Sequence, residues 1–181
     1  MKYFFSLFAI SLLLMLVGCS DTGDDISTLA PNQDESPNLS KEFVPFNGSM
    51  DGLVNLGGSV SCDPGWTTLN FEAQGEVLHC GTSTIYGENC SQATSQQGGE
   101  IENGFATITA ANGDKIDIAY YGTYVFDTYP PTMGTFSLTG TIVGGTGRFD
   151  GAAGSINVEA VQHFTGFPDP ITLTWTGTIE Y

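Results

Sequence analysis

Three side chains able to give, take or share a proton fall on the apolar side of alternating segments: His79, Tyr120 and Tyr124. Tyr120 follows Ile116 and Ile118 at two-residue spacing, and His79 shares the parity of Val77. Residues two apart on a β-strand face the same way, so these groups are expected among apolar neighbours. An imidazole or phenol held there can stabilise charge developing on a bound molecule without any strong nucleophile. The simpler role is structural: a buried tyrosine hydrogen-bonds at a cavity wall, and a buried histidine is satisfied by its surroundings. No Ser-His-Asp order or nucleotide motif accompanies them. His79 and His163 have no C-x-x-C companion, so neither a metal nor a cofactor is expected.

One thiol has a different setting. Leu16-Val17-Gly18-Cys19 closes an apolar run that begins at Tyr3, behind Lys2. The run has the length of a signal-peptide core rather than of a spanning helix. A small residue followed by cysteine at its end resembles the bacterial lipoprotein signal. The resemblance implies that residues 1–18 are removed and that Cys19 carries a diacylglyceryl thioether, which makes the membrane a partner through that anchor. Ser20 resembles an outer-membrane sorting residue, and Asp21, Asp24 and Asp25 resemble the acidic surface-export signals of Bacteroidota. Residues 19–42 hold few large apolar groups, too few to offset the entropy of ordering, so a flexible acidic tether is expected. The folded domain is then 43–181, held at the bacterial cell envelope on the outer membrane.

All 20 acidic residues follow Cys19, where the only cations are Lys41, Lys115 and Arg148. Such a surface repels phosphate backbones and excludes nucleic acid as a partner. Among the remaining cysteines, Cys62, Cys80 and Cys90, export makes one disulfide plausible and leaves one thiol over. Cys80 and Cys90 flank Tyr86-Gly87, which reads as a turn, and could meet across a hairpin; Cys62–Cys80 is equally open.

The elements that must position these groups are strands. Ile171, Leu173, Trp175, Gly177, Ile179 and Tyr181 share one face, and Thr172, Thr174, Thr176, Thr178 and Glu180 the other. Similar alternation runs through 69–77, 116–120, 136–142 and 156–160, and 43–57, 78–86 and 104–111 read as further strands. Asn112-Gly113 signals a type I′ hairpin. Polar loops are expected at 87–103, 127–133 and 164–170. Roughly eight antiparallel strands, each apolar on one face, suit an up-and-down barrel; a two-sheet sandwich is the alternative. Closure removes exposed edges, and glycines such as Gly122, Gly140 and Gly177 suit the bending. An integral outer-membrane barrel needs longer, lipid-facing apolar strands, so the apolar face is expected inside.

Gly144-Gly145-Thr146-Gly147-Arg148-Phe149-Asp150-Gly151 lacks the lysine and the following helix of a phosphate loop. It reads as a tight, bulged connection in which Gly144, Gly145 and Gly147 allow the turn. Phe149 dips into the core, and Arg148 anchors an ion pair with Asp150 or Glu159. This segment, through Ala152-Ala153-Gly154, resembles the glycine-rich stretch of the allene oxide cyclase-like and dirigent-like barrel superfamily, particularly its bacterial secreted members. Ala110 to Asp114 is similar to the hairpin preceding it there, and Gly75 to Gly81 to one of its strands, with Leu78 and Cys80 departing from the pattern. The resemblance implies an eight-stranded, calycin-like barrel with a central cavity, and a homo-oligomer.

Three functions follow. The first is a lipid-anchored, non-catalytic barrel that binds a small apolar ligand or a partner. The second is a cyclase or isomerase that holds a reactive apolar substrate in the cavity. The third is a structural surface lipoprotein with a filled barrel.

Overall fold

The structure, a computed structural model, describes residues 42–181. The expectations for the signal segment, for Cys19 and for the tether up to residue 41 lie outside the described residues. The domain is a closed antiparallel barrel of eight strands with one short extra strand. In chain order these are β1 (Val44–Pro45), β2 (Gly48–Leu56), β3 (Thr67–Val77), β4 (Gly81–Ser95), β5 (Gly98–Thr109), β6 (Lys115–Phe126), β7 (Met133–Gly145), β8 (Ala153–His163) and β9 (Asp169–Glu180). Each strand from β2 onward pairs with the next, and β9 pairs with both β8 and β2, so no barrel edge is left open. Closure rules out the sandwich. The extra strand is the first turn of the same wall. Val44 faces Ile179 and Gly48 faces Trp175 in one unbroken register along β9, interrupted only at Phe46-Asn47.

Alternation decides which way the wall faces. Met50, Val54, Ile85, Ile118, Ile142, Ile156, Leu173 and Trp175 are buried inside, while Thr172, Thr174, Thr176 and Thr178 stand exposed outside. The barrel strands are longer than the apolar patterns suggested, reaching 15 residues in β4. It is the polar outer face, not strand length, that distinguishes this wall from a lipid-facing one.

The interior is filled by pairing large residues with glycines across ladders. Trp175 lies over Gly48, Phe71 over Gly87 and Tyr120 over Gly104, each directly opposite its partner. In all three pairs a Cβ on the glycine would overlap the ring. Alternating small and large inward positions let side chains fill a narrow barrel.

Two local expectations are corrected. Residues 87–103 are not a loop: β4 continues to Ser95, β5 starts at Gly98, and Tyr86-Gly87 is mid-strand. The inward positions Ser83, Gly87 and Asn89 are small or polar, so burial alternates there while hydropathy does not. Bulges between Glu88 and Cys90, and between Ile101 and Gly104, then shift the phase. At the β5–β6 hairpin only Gly113 has positive φ, 90°, and its N–H donates to the Ala110 carbonyl. The connection is therefore a three-residue loop ending in a left-handed glycine rather than a type I′ turn.

The end of the barrel that holds both described termini is sealed. Phe46, Ile116, Phe149 and Ile179 are fully buried there. A 3₁₀ turn, Gly147–Phe149, carries Phe149 inward, against Tyr181 at 5.0 Å between ring centres. Gly147 has φ 63°, and the Asp114 carboxylate occupies the space a Cβ would need. Gly144 and Gly145 end β7 just before this turn. Arg148 pairs with Asp114 at 3.8 Å, not with Asp150 or Glu159, and also donates to the His79 carbonyl. The opposite end carries the longer loops, at 57–66, 127–132 and 164–168.

Candidate functional site

Of the proton-bearing candidates, Tyr120 and Tyr124 lie on the inner face and are 7% and 6% exposed. His79 does not join them. It sits in the β3–β4 turn with φ 71°, exposed, its Nε2 2.9 Å from the Pro45 carbonyl oxygen. The strand parity that placed it inside ends at Val77, because Leu78 to Cys80 form the turn.

Tyr120 stands at the middle of β6 and spans the chamber beneath Gly104, edge-on to Phe71. Its hydroxyl donates to the Glu88 carbonyl at 3.2 Å and accepts from Asn89 Nδ2 at 3.0 Å. Both partners sit opposite the β5 bulge around Asn103, where the ladder is locally disrupted and carbonyls become available to side chains. Burial pushes the Tyr120 phenol above its usual range, and the hydrogen bond from Asn89 only partly offsets this. The hydroxyl therefore stays protonated through neutral pH. Asn89 Oδ1 is buried with no hydrogen-bond partner, as is Trp175 Nε1.

Two apolar voids flank this group, each of about 40 Å³. One lies toward Ile108, Ile118 and Trp175; the other lies toward Asn89, Ile101 and Phe136. Phe71, Tyr120, Leu138 and Leu173 border both. Toward the loop end Tyr124 packs on Phe126 and Phe136 at 5.1 and 5.3 Å, and Phe126 on Phe164 at 5.5 Å. A second polar pair closes this region. Asp169, 1% exposed, accepts from Gln162 Nε2 at 3.1 Å and from the Thr165 N–H at 2.8 Å, fixing the 164–168 loop.

Asn89, Gln162 and Asp169 were not among the candidates. Gln162 was findable, since it keeps the parity of Ile156, Val158 and Ala160. Asn89 was hidden by the apparent loop.

The disulfide joins Cys62 to Cys90, one of the pairings open among the three cysteines, and leaves Cys80 as the free thiol, buried. Cys90 follows inward-facing Asn89, so it points to the outer wall, where the 57–66 loop folds over it. Glu88 holds the same loop by accepting from the Ser59 N–H, the Ser59 hydroxyl and the Val60 N–H, and it also accepts from the Tyr86 hydroxyl. Among the described residues no cluster of three or more His, Cys, Asp or Glu could hold a metal ion.

No protein-family model and no curated protein matches the chain. Among solved structures, the chain is similar to the pterocarpan synthase dirigent protein, with 15% identity and a TM-score of 0.44 over 80% of this chain and 88% of that one. That is a likeness of barrel shape. Function has to be read from the residues of this chain.

Proposed function

We propose that the domain is a binding protein of the bacterial cell envelope, lipid-anchored at Cys19, that takes a small apolar molecule with one polar group into its barrel. The observation that carries this reading is the pair of apolar voids meeting at Phe71, Tyr120, Leu138 and Leu173. Protein interiors are packed like organic crystals. Leaving this much space empty costs about 2 kcal/mol at roughly 24 cal/mol per Å³. Asn89 Oδ1, which lacks a donor beside one void, supplies the polar contact. At about 40 Å³ each the voids are far below the roughly 300 Å³ of an ordinary ligand pocket, so an occupant of more than a few heavy atoms must push aside Phe71 and Leu138, both only half-buried. At Tyr120 binding is favoured over catalysis, because its hydroxyl is already engaged as donor and acceptor within the protein.

The test is native mass spectrometry of the full chain, followed by thermal melting with short-chain alcohols and ketones as probes. Retained small-molecule mass, or a rise in melting temperature abolished by the void-filling variant Ala106→Leu, is the expected result. An empty chain, no shift with any probe and a more stable Ala106→Leu would instead establish a barrel filled by its own side chains. Anchoring is tested separately: labelled fatty acid should enter the chain and be lost in Cys19→Ser.

A further inference from the structure

The outer wall of β4, β5 and β6 is mostly threonine and charged residues, yet it carries Tyr86, Phe105 and Tyr121, which are 45%, 49% and 62% exposed. Across the ladders Tyr86 faces Thr107, Phe105 faces Glu88 and Ala119, and Tyr121 faces Thr139. The three rings are therefore diagonal neighbours, one strand over and two residues along at each step. That places them about 7–8 Å apart in a continuous stripe. Exposed aromatic groups on adjoining strands mark contact surfaces rather than ordinary solvent-facing positions.

The charges around the stripe are mostly acidic. Glu72 stands directly opposite Tyr86, Glu88 is opposite Phe105, and Asp117 is diagonal to Phe105. Glu100 and Glu102 share a shallow outer depression of about 720 Å³ with Tyr121. Among the described residues no hydrogen bond or ion pair engages the Glu72, Glu100 or Glu102 carboxylates. Of the two cations among the described residues, Arg148 pairs with Asp114 away from the stripe, while Lys115 borders its Tyr86 end, sharing an outer depression with Glu72 and Tyr86.

We infer that this stripe docks an extended, arginine- or lysine-rich segment of a partner protein. Rings beside carboxylates hold guanidinium and ammonium groups through their faces and through charge. An extended segment presents every second side chain on one face, about 7 Å apart, which matches the step between rings. The net charge of −16 draws such a segment in and repels acidic partners, a second copy of this chain included. This surface lies on the outside of the barrel and is independent of any interior ligand.

The probe is a capped peptide of alternating arginine and threonine, titrated against the full chain. An identical peptide with glutamate in place of arginine and a neutral glucose oligomer serve as comparisons. The arginine peptide should bind, more weakly as salt rises, and about tenfold more weakly to a Tyr86→Thr, Phe105→Thr, Tyr121→Thr variant that melts like the parent. Glu72→Gln and Glu102→Gln should each weaken it about threefold, and these two decide the matter if the triple variant does not fold. Equal binding to all variants overturns the proposal. So does equal binding of the glutamate peptide, ring-dependent binding of the glucose oligomer alone, or a stripe variant that alters only self-association.

Discussion

The indole of Trp175 lies over Gly48, its direct partner across the β2–β9 ladder, and a Cβ at Gly48 would fall within the ring. Phe46 packs on the same indole with ring centres 6.3 Å apart and limits its retreat on that side, while an apolar void borders it on the other. Gly48→Ala should therefore destabilise the fold by about 1–3 kcal/mol through overpacking. Urea unfolding measures this, and an unchanged midpoint would show that the indole relocates without strain.

Glu88 gives a pH signature. Hydrogen bonds from the Tyr86 and Ser59 hydroxyls, aided by the Ser59 and Val60 N–H groups, pull its carboxyl down to about 2. A carboxyl depressed in the folded state adds stability that is fully present above its unfolded value, near 4.5, and lost as pH falls toward 2. Glu88→Gln should be less stable than the parent at neutral pH, with the gap closing across that acid window. A gap that stays constant down to the lower limit would remove the assignment.

Removing the Cys62–Cys90 bridge frees a loop of 28 residues in sequence separation, worth about 3–4 kcal/mol in chain entropy. Cys62→Ser should unfold at correspondingly lower denaturant. In the native parent a thiol reagent should find Cys80 unreactive, because it is buried and its thiol is raised by desolvation. Its reactivity should appear on unfolding, and immediate labelling of the native chain at Cys80 would contradict the structure.

Tyr120→Phe deletes a hydroxyl that satisfies both the Glu88 carbonyl and Asn89. Leaving these groups buried and unpaired should cost about 1–3 kcal/mol. Adding Asn89→Leu to that variant should recover part of the loss by removing the stranded amide. Additive losses in the double variant would mean that the two side chains are not coupled.

The barrel was legible where apolar residues keep two-residue spacing with few breaks, as from Ile171 to Ile179 and from Ile156 to Ala160. It was illegible in β4, where successive inward positions are small or polar. Gly87 reads as a turn residue until Phe71 is seen lying over it, and Asn89 reads as loop until Tyr120 supplies its partner. The Cys62–Cys90 pairing could not be singled out because Cys62 lies in a loop, which alternation does not place. His79 shows the reverse failure: alternation extrapolated one step past Val77 put an exposed turn residue inside. The hydrogen-bonded pair on the inner wall was half visible, since Tyr120 lies among alternating apolar residues and Asn89 does not.

Glu42 and Tyr181 flank strands that are themselves paired, Val44 against Ile179, so the two ends of the described domain lie side by side at the sealed base. A circular permutant of residues 42–181, with a short linker joining these ends and new termini cut between Gln96 and Gln97, would keep every ladder intact. A fusion partner placed after Tyr181 would likewise hang from the base and leave the loop-bearing rim unobstructed.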